Sequence, residues 1–594
     1  MMRALSSSEI QILRREPHYS RLFLYIDQPT IVLTAQVDGT VQSLDRVTGV
    51  TIKNIGGNAS NVIAGMTGIL GTAQGSDDLG RFRVRGISGN TLLVGETSDV
   101  KWQNNAYVTI LDDFEPWAVK LDFVDGLWNI EGEIAYSDQN QNFLPIPVLG
   151  PPLQVLALDD AASVQVTRSA SDSWCPGAEI IAFNWSAPGA ASVQNGNTAN
   201  VILTYTQAGR YRIDCTVTAS NGKSTTGYRY VVVVNSFEEL IKDFELTSLA
   251  GDVRNGGWSG QIKLYSDVSN IRKHALCAVI SEDFYGSEKV STGPVQGFNN
   301  HLFVGRIGEI KLEITPQYSV ANLNLEGLCE SLKNIYAWPF SLLDKDTVPD
   351  SWLYVQQLTI DKAIAHYVTW RSTLAKLYDV LPTGDVRRAF DCSGNLGPIY
   401  DQLRSFVENK IKTPVLSDRF SRLVIKPNPQ LQDTADRTSV EVMAITKNDL
   451  RAPVEVQEQL LPKVGLVEVA GFCYNNGWTA VLARSGNALS QTGEFKSEYS
   501  FLFTDQNQAC KIAGHYYAWQ NNRYPEVTLN LAGNYNVFDI TRDAWVRLDG
   551  LTTTRGNILS NVRGLINRVD ISRDTKNGVT YVDLNVEIET SGMP

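Results

Sequence analysis

The sequence predicts a multidomain, mainly β protein whose second half adds an α+β region. Three observations support this fold class. The chain has 594 residues, several times the roughly 150 residues of a typical domain. Strand-like runs separated by Gly, Pro and Asn fill the first part of the chain and return near its end. Between about 325 and 411, the apolar spacing changes from every second residue to helical spacing.

Composition is that of an ordinary globular protein and argues against several functional classes. The net charge of −12 disfavours a protein that binds nucleic acid along a basic face. Seven cysteines without a CxxC pair disfavour a disulfide scaffold and a zinc ribbon. No apolar run approaches membrane-spanning length, and the first residues do not resemble a signal peptide. We therefore expect synthesis in the cytoplasm without a cleaved signal.

Residues 1–147 are expected to form an N-terminal β-rich domain. Ser6-x-x-Glu9 matches a capping box for one short helix. Strands are predicted at 21–26, 30–37, 81–85, 91–94 and 107–111. The arginines of 81–85 alternate with Phe82 and Val84, which indicates a strand with one basic face. That face is either solvated or contacts an anion.

Residues 148–236 are expected to form a self-contained β-sandwich, because a Pro-rich joint precedes them. Strands are predicted at 155–158, 179–185, 200–205, 209–218 and 225–234, with Asn221-Gly222 as a hairpin turn. Trp185 and Tyr211 are the predicted core aromatics. Cys175 and Cys215 could bridge the two sheets, and whether they pair is left open.

The remainder is divided into 237–322, a β domain; 323–421, a helical domain; and 422–594, a second β domain with one long helix. Helices are predicted at 325–338, 359–380, 396–411 and 505–523. Residues 266–300 are expected to be a long connection. The chain should end in a hairpin, 566–572 with 580–589, turning at Lys576-Asn577-Gly578.

No catalytic, metal-binding or cofactor-binding site is predicted. Five histidines occur without a zinc-ligand spacing, and no GxSxG nucleophile motif is present. The acidic pairs Asp77-Asp78, Asp112-Asp113 and Asp159-Asp160 lack the alternating ligands of a calcium loop. We interpret them as solvated turns and expect a protein that is not an enzyme.

The sandwich segment resembles the PKD branch of immunoglobulin-like folds. The resemblance rests on Ala170-Ser171, Asn184-Trp185, Tyr205-x-x-x-Gly209-x-Tyr211-x-Ile213-x-Cys215-x-Val217 and Asn221-Gly222. It departs from the family at 186–189, where Ser-Ala-Pro-Gly stands in place of the usual Asp-Gly. The resemblance implies a module that binds surfaces or acts as a spacer.

Residues 237–594 resemble the tail-tip hub proteins of bacteriophages and contractile injection machines. The resemblance rests on the order of elements and on these segments: Thr359-x-Asp361-Lys362-Ala363-Ile364, Trp370-Arg371-Ser372-Thr373, Ala509, Ala513 and Ala518 on one helix, Val527-x-Leu529-x-Leu531, and Arg542-Asp543-Ala544-Trp545-Val546-x-Leu548. It implies two hub β-barrels with a helical portion between them, assembled as a homotrimeric ring.

The function implied by this resemblance is that of a structural hub in the virion. Such a hub continues the tail tube, contacts the tube or distal tail protein, the tape-measure protein and tip or receptor-binding proteins, and lets DNA pass without specific binding. Asp583, Glu587 and Glu589 share one face of the last strand and either line this channel or face solvent. The PKD-like module of such a hub could contact a host-surface glycan. The alternative function is that of a surface protein with a PKD-like module that binds or processes polysaccharide.

Overall fold

The computed structural model describes most of the chain. The described residues are 3–4, 19–39, 49–63, 65–95, 100–114, 121–124, 127–130, 143–252, 257–265, 271–285, 288–291, 300–314, 319–333, 336–337, 360–365, 376–384, 397–398, 400–401, 403, 412–415, 418–427, 441–456, 464–474, 478–486, 494–503, 506–521, 523–531, 545–552, 558–559, 562–574 and 578–589. The predicted helix at Ser6 and most of the predicted helical domain lie outside these residues.

The N-terminal segment contributes two strands to a large sheet and then forms a closed barrel. The two strands are β1 (Arg3–Ala4) and β2 (Ser20–Ile26). The barrel strands are β3 (Ile31–Val37), β4 (Gly49–Gly57), β5 (Thr67–Gly71), β6 (Gly80–Ser88), β7 (Thr91–Gly95) and β8 (Tyr107–Leu111), in the order β3-β4-β7-β6-β5-β8. Buried side chains such as Leu33, Phe82 and Val108 fill the interior, as in other small barrels.

A two-sheet sandwich follows the hairpin of β9 (Leu121–Val124) and β10 (Leu127–Ile130). Its strands are β11 (Leu153–Ala157), β12 (Val164–Ser169), β13 (Ile180–Ser186), β14 (Ser192–Gln194), β15 (Asn200–Tyr205), β16 (Gly209–Ala219) and β17 (Ser224–Val234). One sheet has the order β11-β17-β16-β13 and the other β12-β15-β14. The strands predicted for this segment are confirmed, and Gly222 has a φ of +79°, the left-handed conformation that hairpin turns of this type require.

The next six strands form a curled sheet. They are β18 (Phe244–Asp252), β19 (Gly257–Leu264), β20 (Leu276–Tyr285), β21 (Glu288–Ser291), β22 (His301–Ile314) and β23 (Ser319–Glu326). β2 pairs with β20, and the sheet curls until Ile241 meets Leu24 through two backbone hydrogen bonds of 2.9 and 3.1 Å. The barrel and the sandwich are therefore insertions between β2 and β18, and the curled sheet crosses the predicted boundaries at 147 and 237.

The prediction of a long connection at 266–300 is wrong, because this segment contains a central strand. Leu276–Ile280 of β20 is fully buried and pairs with β2 on one side and β22 on the other. A strand that is covered on both faces shows no alternation, only a short apolar run. The run Leu-Cys-Ala-Val-Ile was the available signal.

The described residues in the middle of the chain are less helical than their apolar spacing predicts. The described elements are a 3-10 helix (Leu328–Lys333), β24 (Tyr336–Ala337), α1 (Ile360–Ala365), β25 (Gly397–Pro398), β26 (Lys412–Val415) and β27 (Val424–Pro427). The helix predicted at 325–338 is wrong. Leu325 lies in β23, and Leu328 and Leu332 follow it into the same core from the 3-10 helix, so strand end and turn together imitate helical spacing.

Two further predicted helices end differently from expectation. The helix predicted at 359–380 is observed from Ile360 to Ala365, but Val380 forms a parallel bridge with Leu423. In the helix predicted at 396–411, Gly397–Pro398 is a strand paired with Tyr336–Ala337, while Tyr400, Asp401 and Leu403 are helical. Pairing with distant strands overrides local helix propensity at these positions.

The C-terminal region adds strands to the large sheet and a small α/β unit. Its elements are β28 (Glu441–Thr446), β29 (Glu455–Val456), β30 (Val464–Tyr474), β31 (Trp478–Gly486), β32 (Glu494–Phe503), α2 (Gln506–Asn521), β33 (Arg523–Asn530), β34 (Trp545–Asp549), β35 (Leu551–Thr552), β36 (Ile558–Leu559), β37 (Val562–Asp574) and β38 (Val579–Glu589). The predicted helix at 505–523 and the predicted final hairpin are confirmed. α2 packs Ala509, Ile512 and Ala513 against the three-stranded sheet β31-β30-β32.

The curled sheet and the C-terminal strands join into one sheet. Among the described residues it contains fourteen strands, and β18 meets β37 through the antiparallel pairing of 249–252 with 568–571. The fold is therefore mainly β and multidomain, as predicted. The closed barrel lies at 31–111. Most of the strands expected to form two separate hub barrels, namely β18–β23, β28, β29, β33, β34, β37 and β38, belong instead to this continuous sheet. Neither of the two described α-helices is long and apolar enough to cross a membrane.

Candidate functional site

Side-chain contacts between the barrel, the sandwich and the large sheet fix how these regions are arranged. We call these contacts joints. Within the described residues, no group of three or more His, Cys, Asp or Glu side chains could hold a metal ion. The distinctive side-chain chemistry is instead a set of buried ion pairs where the sandwich meets the barrel and the large sheet.

One sheet of the sandwich has two buried faces. Its inner face packs Trp185, Cys215 and Val231 into the sandwich core. Its outer face, which we call the docking face, consists of Arg210, Arg212, Asp214, Tyr228, Tyr230 and Val232. Tyr228, Tyr230 and Val232 belong to the same apolar core as the barrel and the curled sheet. The predicted module is thus one unit along the chain but shares a core with the rest of the protein.

Arg210 joins three parts of the protein. It extends from β16 of the sandwich, and its Nε and Nη2 donate to both carboxylate oxygens of Asp27, directly after β2, at 2.9–3.1 Å. Its Nη1 and Nη2 donate to the side chain and the carbonyl of Asp112, directly after the barrel strand β8, at 3.2 and 2.9 Å. The guanidinium also lies 3.9 Å from the ring centroid of Tyr230, a cation–π contact. Burial alone would lower the pKa of Arg210, but the Asp27 carboxylate raises it above its usual value.

Arg212 extends this network across the docking face. Its Nη1 donates to Asp112 at 3.0 Å and its Nε to Asp214 at 2.8 Å. Beside it, the rings of Phe114 and Tyr228 are stacked with centroids 4.3 Å apart and planes 4° apart. Burial raises the pKa of Asp214 above its usual value despite the neighbouring Arg212. The interpretation of Asp112 as a solvated turn residue is wrong, since its side chain is 15% exposed and binds two arginines.

A second joint attaches the sandwich to the segment 376–384. Arg229, fully buried, donates from Nη2 to Asp379 at 2.6 Å and from Nε to the carbonyl of Gly150 at 2.6 Å. Asp379 also accepts the backbone N–H groups of Leu149 and Gly150 at 2.7 and 3.0 Å. Burial lowers the pKa of Arg229, and Asp379 offsets that effect only in part.

A buried histidine secures the other end of the docked sheet. The backbone N–H of Val155 in β11 donates to Nε2 of His301 at 3.0 Å, which requires that nitrogen to be unprotonated. Burial, with a smaller contribution from the nearby Arg168, lowers the pKa of His301 to about 3. His301 is therefore a neutral acceptor at physiological pH.

The residues predicted as the sandwich core lie inside the sandwich. Trp185 is 6% exposed, and its Nε1 donates to the carbonyl of Thr198 at 2.9 Å. Tyr211 packs at the edge of that core and stacks obliquely on Tyr205. Cys175 and Cys215 are both buried free thiols. Cys175 donates to the carbonyl of Phe143 instead.

The acidic residues predicted on the last strand have different surroundings. Asp583 is half-buried and accepts a hydrogen bond from Arg451 at 2.5 Å. Glu587 is 2% exposed and accepts one from Asn567 at 3.4 Å. Glu589 pairs in register with Arg523. Asp583 and Asp570 are also direct cross-strand neighbours, and Arg568 binds Asp570 through two hydrogen bonds of 2.7 Å. In the single chain, Glu587 does not reach solvent.

The large sheet has an open edge at β22. The first half of this strand is covered by β20, but beyond Ile307 only β23 pairs with it among the described strands. The segment 309–314 reads Glu-Ile-Lys-Leu-Glu-Ile. Leu312 is 56% exposed and Ile314 is 80% exposed.

The residues of both joints were not predicted from the sequence. Their signal is the placement of arginines inside strands with otherwise buried positions: Arg210-Tyr211-Arg212 in β16 and Tyr228-Arg229-Tyr230 in β17. Arginine is almost never fully buried unless it is paired. An arginine in such a strand therefore predicts a carboxylate partner, but it does not identify the partner, which is distant in sequence.

Comparisons with known proteins find similarity in structure only. No protein-family model matches the chain, and no curated protein matches its sequence. The tail protein of Neisseria meningitidis MC58 is 12% identical, with a TM-score of 0.38 over 59% of this chain and 93% of its own. The prophage MuSo2 43 kDa tail protein of Shewanella oneidensis is 11% identical, with a TM-score of 0.37 over 59% of this chain and 96% of its own.

A second kind of match covers a shorter part of the chain. The PKD domain from the KIAA 1837 protein is 25% identical, with a TM-score of 0.13 over 17% of this chain and 91% of its own. The two resemblances noted in the sequence, to tail proteins and to PKD domains, are thus also the similarities found among solved structures.

Proposed function

We propose that this protein is the structural hub of a bacteriophage tail tip or baseplate. In this proposal three copies form a ring that continues the tail tube, connects it to tip or receptor-binding proteins and lets DNA pass. The protein has no catalytic role. The proposed type of assembly and the number of copies are both taken from the resemblance of residues 237–594 to hub proteins.

The observation that carries the proposal is an antiparallel run of eight strands, β22-β23-β19-β18-β37-β38-β33-β29, within the large sheet. Within one chain, this run already joins the curled sheet to C-terminal strands through β18 and β37. Among the described residues, the outer edge of 309–314 in β22 is unpaired, and the run ends at the two-residue strand β29. Open strand edges tend to pair with other chains, and a cyclic arrangement satisfies them without forming open-ended fibres.

Charge supports passage of DNA through such a ring. The chain carries a net charge of −12, and a negative channel repels phosphate and so avoids strong binding. We propose that the face of β38 with Asp583, Glu587 and Glu589 contributes to the channel wall. Asp583 would face the lumen beside Arg451, while Glu587 would lie behind the surface.

The inserted barrel and sandwich are proposed to hold the neighbouring proteins. The Arg210 and Arg229 joints fix both insertions against the sheet, so that a partner bound to them is also fixed relative to the ring. The partners would be the tube or distal tail protein, the tape-measure protein and tip or fibre proteins. A contact between the PKD-like sandwich and a host glycan remains part of this proposal.

Copy number in purified tails tests the proposal. Quantitative mass spectrometry with isotope-labelled peptides of this chain and of the tail-tube protein should give three copies per tail tip. The free protein should not hydrolyse peptidoglycan or capsular polysaccharide. Absence of the chain from tails, together with saturable binding to a purified polysaccharide, would instead support the surface polysaccharide protein.

A further inference from the structure

We infer that segment 309–314 of one copy pairs, antiparallel, with segment 450–456 of a second copy, so that the sheet continues from chain to chain. The occupant of the open β22 edge is thus another molecule of this protein. The inference rests on the proposed ring and assigns its interface to particular strands.

The apolar face of the β22–β23 hairpin extends beyond the core of the chain. In register, Ile310 lies opposite Leu323 and Leu312 opposite Ala321, and both partners in β23 are buried. Side chains directly opposite each other point to the same face of a sheet. Leu312 and Ile314 therefore continue a core-facing row, yet they are 56% and 80% exposed.

The backbone of the same segment also favours pairing with another strand. Among the described residues, no strand pairs with the outer edge of 309–314. Six consecutive residues thus present alternate N–H and C=O groups with apolar side chains between charges, which is a template for pairing with another strand. The charges do not block this edge, because Lys311 forms no ion pair within the described part of the chain and is available to a carboxylate.

The directions of β22 and β29 are compatible with pairing between copies. The run β22-β23-β19-β18-β37-β38-β33-β29 contains eight strands, and each neighbouring pair in it is antiparallel. The first and the eighth strand consequently run in opposite directions. When β29 of one copy meets β22 of the next, the new pair is antiparallel as well, and the alternation continues around a ring.

The residue types of segments 309–314 and 450–456 are complementary when the two are paired. An antiparallel alignment that places Leu312 opposite Val454 also places Ile310 opposite Val456 and Lys311 opposite Glu455. Apolar and opposite-charge cross-strand pairs both stabilise sheets. Pro453, which lacks an N–H, precedes β29 in the outermost segment of the sheet, a position where sheets tolerate proline.

A competing occupant is the same segment of a second copy related by a two-fold axis. Centred on Leu312, this pairing also places Lys311 opposite Glu313. It closes as a dimer and leaves the edge at 450–456 open. The head-to-tail pairing uses both edges, and the observations therefore favour it.

Engineered disulfides separate the two pairings. In the full-length chain with Cys510→Ser, which removes an exposed thiol, Leu312→Cys and Val454→Cys are introduced singly and together. Residues directly opposite in a sheet lie within disulfide reach. In assembled tails, mild oxidation of the double variant should give a ladder ending at three linked chains, while either single variant stays unlinked.

Two results would overturn the inference. Linked dimers from Leu312→Cys alone would assign the edge to the two-fold pairing. An unlinked double variant in tails that contain three copies would show that the ring closes elsewhere, leaving the proposed function intact. Tails without three copies would instead contradict the proposed function itself.

A charge exchange gives an independent readout. Lys311→Glu should reduce the assembled fraction roughly two- to five-fold, the size expected for one cross-strand charge pair, and Lys311→Glu with Glu455→Lys should restore it. Equal melting temperatures of the free variants serve as the folding control. Failure of the double exchange to restore assembly, with folding intact, would contradict the assigned register.

Discussion

Arg210 and Asp27 are joined by three N–O contacts of 2.9–3.1 Å between side chains that are 8% and 1% exposed. The pair connects β16 of the sandwich to the end of β2 in the large sheet, 183 residues earlier in the chain. Because Arg210 also binds Asp112 after the barrel, one side chain determines how both insertions sit on the sheet.

Removal of Arg210 should therefore loosen the docking of the sandwich. We expect Arg210→Met to cost about 3–5 kcal/mol, because it leaves the Asp27 carboxylate buried without its main partner. The measurement is urea unfolding combined with hydrogen exchange of β2 and β16. The matched control is Lys53→Met, which breaks an exposed ion pair with Asp38 and should cost at most about 1 kcal/mol. Equal effects of the two variants would show that Arg210 does not hold the joint.

Two glycines should respond to alanine with opposite signs. A Cβ at Gly68 in the barrel would lie 2.2 Å from ring atoms of the buried Phe82, so Gly68→Ala should destabilise by about 1–3 kcal/mol. A Cβ at Gly514 in α2 would meet no atom within 4 Å, so Gly514→Ala should stabilise by about 1 kcal/mol through helix propensity. Thermal unfolding of both variants checks the pair. A stabilising Gly68→Ala would contradict the packing described for the barrel.

The sequence predicts those elements that are determined by residues close together in the chain, and it does not predict those determined by distant contacts. The sandwich strands and the final hairpin carry alternation and Asn-Gly turns close in sequence, and they were placed to within a few residues. β20 was missed because burial on both faces removes alternation, and the helix at 325–338 was mistaken because a strand end and a 3-10 helix imitate its spacing. The partners of Arg210 and Arg229 lie far away in sequence, so only folding reveals them.

The sandwich core should depend on Trp185. We expect Trp185→Ala to cost about 3–5 kcal/mol, since it removes a large buried side chain and leaves the carbonyl of Thr198 without the indole N–H. The measurement is unfolding of the full-length protein, monitored by circular dichroism because this signal does not depend on the fluorescence of the removed tryptophan. The control is Ile181→Ala in the same strand, β13, where the side chain is 61% exposed; it should change stability little. A Trp185→Ala protein that melts like the control would refute the core assignment.

Mild acid should weaken the protein through His301. Its pKa is about 3 in the folded chain and about 6.5 when unfolded, so the unfolded state gains a proton first as the pH falls. The stabilisation is complete above pH 6.5 and declines by about 1.4 kcal/mol per pH unit down to about pH 3. His301→Gln should remove this part of the slope, as measured by urea unfolding at pH 7, 5.5 and 4.5. An unchanged slope would mean that His301 is protonated in the folded state.

A three-fold averaged cryo-electron microscopy reconstruction of intact tail tips would show directly whether this chain surrounds the tail axis. We expect three copies around the axis, sheets joined into one ring, barrels and sandwiches on the outside, and a channel wall that is acidic or neutral. A chain located off the axis, or a channel lined by Lys and Arg, would contradict this expectation.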